Sequence, residues 1–139
     1  MKYKKLGQTY VLRVDPGEDI VQSILKLADK EDIQVAEVTG IGAVSDVTIG
    51  VFDPLEKVYH STELSDVFEI TSLIGNLTRQ GRQPYLHVHV NIASFDGKTY
   101  GGHLNKATVS ATAEIIVRTF EGEIGRQFDN EIGLNLFKF

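Results

Sequence analysis

His87, His89 and His103 are the residues in this 139-residue chain whose types and spacing point most directly to chemistry. Neutral imidazoles bind divalent metals, and three of them on one rigid surface leave a coordination position open. His87 and His89 belong to Tyr85-Leu86-His87-Val88-His89-Val90-Asn91-Ile92. On a strand, successive side chains alternate between faces, so the aliphatic residues of this stretch share one face and both histidines the other. His103 follows Gly101-Gly102, after a turn at Phe95-Asp96-Gly97.

The register of that hairpin decides whether the third histidine joins the pair. A two-residue Asp96-Gly97 loop pairs Phe95 with Lys98 and sets Val90 opposite His103, on the wrong face. A three-residue Phe95-Asp96-Gly97 loop, with Gly97 left-handed, pairs Ser94 with Lys98 and sets His89 opposite His103. A bulge at Gly101-Gly102 has the same effect, because a one-residue slip flips the face. The metal reading therefore expects one of these two devices. The plainer reading of a strand histidine is a surface or hydrogen-bonded residue, and His60, alone after a polar turn, is read that way.

The elements that must hold these residues follow from periodicity. Gln8 to Val14 reads as a first strand. Asp15-Pro16-Gly17-Glu18 then has the form of a helix start, with Asp15 as N-cap and Pro16 at the first helical position. Ile20, Val21, Ile24, Leu25, Leu27 and Ala28 recur at helical spacing and should cover a sheet. Further strands are expected at Ile33–Thr39, Ala43–Phe52, Val58–Thr62, Val67–Leu77, Thr99–Leu104 and Ala107–Phe120, with a glycine turn at Gly40-Ile41-Gly42. Residues Ala111 to Glu114 taken alone could be helical. Phe68, Ile70 and Ser72 are expected to alternate against Glu69, Thr71 and Leu73, and Thr78 to Pro84 reads as a polar loop. The tail ends on Ile132, Leu134, Leu136, Phe137 and Phe139, which should dock on the sheet or enter a subunit contact. The expectation is one α+β domain over residues 1–139, a mostly antiparallel sheet backed by one principal helix.

Hydrophobic residues make up 42% of the chain and charged residues 24%, ordinary values for a globular protein. No apolar run approaches the ~20 residues that span a bilayer, and the basic Met1–Lys5 is followed by no apolar stretch, so no membrane partner and a cytoplasmic setting are expected. With no cysteine, any transition-metal site must use histidine, carboxylate or water. The net charge of -5 argues against a general nucleic-acid binder.

In this order the pieces resemble the PPC domain family (plants and prokaryotes conserved, also DUF296), over roughly Tyr10 to Phe120. The resemblance is carried by Leu12-Arg13-Val14-Asp15-Pro16-Gly17-Glu18-Asp19-Ile20, Gly40 to Thr48, Phe68 to Asn76, His87-Val88-His89, Asp96 to Leu104 and Ala113 to Val117. It implies a prokaryotic stand-alone domain, a helix-backed antiparallel sheet and a homotrimer. It also implies a metal, zinc being the usual assignment, on His87, His89 and His103. Plant members join the domain to AT-hooks, which implies the alternative of a DNA-binding or regulatory protein. Here the nearest match, Gly81-Arg82-Gln83-Pro84, breaks the Arg-Gly-Arg-Pro core and reads as a turn, and Asp66-Val67-Phe68-Glu69 replaces the plant Gly-Arg-Phe-Glu. A basic trimer face from Lys2, Lys4, Lys5, Arg79 and Arg82 would be the remaining support for DNA.

These residues leave open whether the protein is an enzyme. A divalent ion on three imidazoles can bring bound water to a pKa of ~7, suiting hydrolytic chemistry on an unidentified small molecule. A general base would come from elsewhere, and Glu69 and Glu114 are the catalytic candidates in the familiar blocks, each also readable as a sheet-surface charge. Asn91 and Asn105 could orient a ligand or cap the sheet. A third reading is a structural trimer whose histidines hold metal for stability.

Overall fold

The computed structural model describes residues 1–139. Apolar residues at every second position fold as strands with one buried face, and eight strands and one helix result, in chain order. They are β1 (Lys2–Leu6), β2 (Thr9–Val14), α1 (Ile20–Lys30), β3 (Ala36–Asp53), β4 (Val58–Gln80), β5 (Gln83–Ala93), β6 (Thr99–Thr119), β7 (Gly125–Asp129) and β8 (Leu134–Lys138). The pairing is antiparallel except where β7 meets β4 at Arg79 and Gly125. β3 pairs with β4 and β6, and β5 also pairs with β4 and β6, so these four long strands close into a ring of ladders. Their buried faces meet in one hydrophobic core of 26 residues, which α1 enters through Ile20, Ile24, Leu27 and Ala28. Burying each large aliphatic side chain there stabilises the fold by ~1.5–3 kcal/mol. No helix is long and apolar enough to cross a membrane.

The architecture is the α+β arrangement expected, but several boundaries differ. The helix starts later than Asp15. Pro16 and Gly17 instead occupy the middle of a turn, with Gly17 at φ 82° and the Glu18 N–H donating to the Asp15 carbonyl at 3.2 Å. That is the Pro-Gly signature of a type II turn, which competes with a helix start at the same residues. The cap is Asp19, whose Oδ1 accepts from the Gln22 N–H at 2.8 Å and whose Oδ2 accepts from Ala107 N–H at 2.8 Å.

The expected breaks inside the long strands are bulges rather than turns. Gly40-Ile41-Gly42 lies within β3, where the register shifts. Val58–Thr62 and Val67–Leu77 are parts of a single β4, and Ala111–Glu114 belongs to β6. A second shift, between Ile70 and Ser72, adds Thr71 to β4, so the buried set runs Phe68, Ile70, Leu73 and leaves Ser72 exposed. The strict alternation expected there fails for this reason.

The expected polar loop at Thr78–Pro84 is a tight turn at Gly81-Arg82, and Thr78 and Arg79 are buried in β4. The Arg79 guanidinium donates to the Ala28 and Ile33 carbonyls at 3.1 and 2.8 Å, pairing carbonyls at and just beyond the end of α1. It is therefore absent from the basic face expected of it. Strand β1 has no period-2 signal in the sequence, because four of its five side chains are exposed.

Candidate metal centre

Ser94 N–H donates to the Lys98 carbonyl and Gly97 N–H to the Ser94 carbonyl, both at 2.9 Å, with Gly97 at φ 78°. This is the three-residue loop, and its register sets His89 directly opposite His103. On β5 the neighbours Val88, Val90 and Ile92 are buried, which turns His87 and His89 outward. On the other side of β5, His87 lies opposite Asn76 of β4.

The three rings stand at centroid distances of 5.2, 5.3 and 5.8 Å. One ligand nitrogen from each lies within 4.8 Å of the others. Bonds of ~2.1 Å at tetrahedral angles hold donor nitrogens about 3.4 Å apart, so modest rotation of the rings gathers them around one ion. The donor set fits a divalent metal of the zinc class. Burial, then the neighbouring His103 and His89 charges and Arg126, hold the His87 pKa down at about 4. Burial, then His89, lowers His103 as well. Both rings are therefore neutral at pH 7, the form that binds metal.

The histidines line a cavity of about 990 Å³. One wall is the hairpin of β7 and β8, which brings Arg126, Leu134, Leu136 and Phe137 over the site. The apolar tail lines this cavity through Ile132, Leu134, Leu136 and Phe137 but keeps most of its apolar side chains exposed, Phe139 fully so. Arg126 donates through Nε to Thr78 Oγ1 at 2.9 Å, through Nη2 to Asn76 Oδ1 at 2.7 Å and through Nη1 to the Asn135 carbonyl at 3.2 Å. Its guanidinium lies between the Tyr85 and Phe137 rings, 4.7 and 4.2 Å from their centroids. Tyr59 stands edge-on to His103 and donates its hydroxyl to Asn105 Oδ1 at 2.6 Å.

Glu69 and Glu114, the carboxylate candidates, are exposed and lie outside this cavity. Glu114 faces Arg13 across β2, and Glu69 faces Ala93 across β5. Asn91 accepts from Thr71 Oγ1 at 2.9 Å and lies outside the cavity, whereas Asn105 lines it. His60 is exposed on β4, opposite Val51. Sequence reasoning missed Arg126, Tyr59 and Asn76. None sits in a local motif with the histidines; the polar alternation of Asn76 with Thr78 was the one available signal.

Comparison with known proteins gives a family model, the Plants and Prokaryotes Conserved (PCC) domain, matching residues 1–121. A solved structure from Bacteroides thetaiotaomicron, described as a candidate DNA-binding protein, is 29% identical with a TM-score of 0.97, covering 99% of this chain and 96% of that one. A solved protein of Archaeoglobus fulgidus, described as metal-containing, is 37% identical with a TM-score of 0.90 over 100% of both chains. Among curated proteins, the Bifunctional protein GlmU of Synechococcus sp. (strain JA-3-3Ab) is 32% identical over 129 residues, 91% of this chain. This chain spans only 20% of that protein's length.

Proposed function

This chain belongs to the Plants and Prokaryotes Conserved domain family, and from that premise we propose that it is a metal-binding protein. A zinc-class divalent ion would be held by His87, His89 and His103. The observation that carries this reading is the convergence of three imidazole nitrogens within 4.8 Å on two adjacent strands. The description of the Archaeoglobus fulgidus relative as metal-containing supports it. Three protein ligands leave a position open, where the ion supplies Lewis-acid chemistry toward a small molecule.

The chain's own residues do the rest. β5 and β6 hold the rings rigidly; Tyr59 buttresses His103 and is itself fixed by Asn105. The β7–β8 hairpin forms one side of the cavity. Within the cavity no carboxylate offers a general base, so binding or polarisation of a ligand fits the site better than proton abstraction by Glu69 or Glu114.

Elemental analysis of protein purified without a histidine tag tests the reading. One equivalent of metal per chain is expected, falling below a tenth in His89→Ala; a metal-free wild type would sink it. Chelation then separates roles, because a large loss of melting temperature marks a structural ion and a small loss a functional one.

Self-association belongs to the same reading. Val11, Ile41, Ile74 and Ile116 leave 37%, 58%, 58% and 39% of their surface exposed on one sheet face, and a second copy is the natural cover for such a patch. The family resemblance implies three copies, and sedimentation equilibrium showing a 15.4 kDa species alone would refute assembly. The competing DNA reading rests on the description of the Bacteroides relative; a gel shift of duplex DNA at low salt would favour it, and burial of Arg79 leads us to expect none.

A further inference from the structure

We propose that the histidine cavity takes a small organic acid, its carboxylate bound by Arg126 and its apolar part lodged against the β7–β8 hairpin. The proposal deepens the metal-centre reading and rests on it for the second anchor of the anion.

This chain carries 19 acidic and 14 basic residues, excluding histidine, yet no aspartate or glutamate lines the cavity. Arg126 is half-buried there and has no carboxylate within ion-pair distance. A guanidinium drawn out of water without a counter-charge is costly, and structural arginines are normally paired. Here the cost is met by neutral groups: two side-chain oxygens, one backbone carbonyl and two aromatic faces. These fix the plane of the fork and leave its charge uncompensated.

Hydrogen bonding agrees with this. A guanidinium has five N–H donors, and three are engaged, one on each nitrogen. One N–H on each terminal nitrogen is left over, two donors for the two oxygens of a carboxylate. Arg126 lines the same cavity as the three histidines and donates to Asn76, the residue opposite His87 on the neighbouring strand, so an anion held on the guanidinium lies in the cavity of the histidine centre. Beyond the charged end, Val51, Phe52, Leu134, Leu136 and Phe137 line the cavity. Its volume is at the upper end of the ~300–1,000 Å³ usual for small-molecule sites. An aliphatic chain of several carbons fits such a wall; a bare inorganic anion leaves it wet.

Arg126 and the hairpin part of the wall, Leu134, Leu136 and Phe137, lie beyond residue 121, outside the part matched by the family model. Ligand choice is thereby separated from the histidine strands: the domain supplies the centre, the C-terminal hairpin the recognition.

Isothermal titration calorimetry on the full chain, metal-free and metal-loaded, tests the proposal with hexanoate, hexanamide and inorganic phosphate. Hexanoate is expected to bind at least tenfold more tightly than the isosteric amide and than phosphate, and more tightly still after metal loading. Arg126→Gln is expected to lose at least tenfold in hexanoate affinity while keeping its metal content, and Arg126→Lys to recover part of the loss. Equal binding of acid and amide, tighter binding of phosphate, or undiminished hexanoate binding by Arg126→Gln overturns the proposal. So does loss in both variants accompanied by loss of hydrogen-exchange protection in residues 125–138, which assigns Arg126 to folding the hairpin. If the metal reading alone fails, the wild type carries no metal but its hexanoate binding still depends on Arg126.

Discussion

Gly75→Ala probes how tightly the sheet must close to present the histidines. An added Cβ would lie 2.1 Å from the His87 carbonyl oxygen, 2.6 Å from Val88 Cα and 2.7 Å from Val88 Cγ1. Ordinary contact begins near 3.4 Å, and two of these three atoms are backbone, so no rotamer change relieves the clash. β5 has to move off β4 by more than ~1 Å on van der Waals grounds. The move weakens ladder bonds on either side of the Gly75–Val88 pair, at ~1 kcal/mol each. It also disturbs the buried Val88, where overpacking costs ~1–3 kcal/mol.

The expected loss of stability is therefore about 3–5 kcal/mol, read as a lower urea midpoint at unchanged slope. Metal affinity should fall as well. His87 neighbours Val88, and coordination tolerates only ~0.2 Å of bond-length error, so we expect a loss of about 10–100-fold by chelator competition, the scale seen when a ligand's support is removed. Gly81→Ala is the control: nothing lies within 4 Å of its Cβ and φ is +61°, so it should cost ~1–2 kcal/mol of backbone strain and leave metal affinity alone. A Gly75→Ala protein within ~1 kcal/mol of wild type, with unchanged metal affinity, would refute the close-approach argument.

Three further outcomes follow from other contacts. Asp19→Ala should lose about 2–4 kcal/mol, combining the helix cap with an unpaired N–H at the buried Ala107, and urea titration should show Asp19→Asn losing less. Arg79→Ala should lose about 2–4 kcal/mol by the same measurement, because the Ile33 carbonyl is left without a donor and the Ala28 carbonyl keeps only the Ile33 N–H. In the metal-free protein, the His87 pKa is lowered from 6.5 to about 4, so the unfolded chain takes up its proton first as pH falls. Stability is full above pH 6.5, declines between 6.5 and about 4, and loses nothing more from this group below that. A urea midpoint that stays flat between pH ~7.5 and ~4.5, or falls equally in His87→Gln, would refute the assignment.

Much of the candidate site was legible in the residues alone, because strand alternation and hairpin loop length are local rules. Alternation turned His87 and His89 to one face, and Phe95-Asp96-Gly97 carried the glycine that a three-residue loop needs, so His103 could be paired by counting. Composition and block order also led to the fold class and the family. Local ambiguity caused the errors. Pro16-Gly17 satisfies both a helix start and a type II turn, and Thr71 looks like any strand residue although it is the extra residue of a bulge.

What only the tertiary structure decided is what the three histidines face. Arg126 is far from the histidines in sequence and reaches them because the C-terminal hairpin folds back beside β4, stacking the guanidinium between Tyr85 and Phe137. Arg79, equally basic on paper, turned inward to the end of α1. The physical reason is range: periodicity fixes which face a side chain takes on its own strand, whereas burial, desolvation and charge pairing depend on which distant element comes to cover that face.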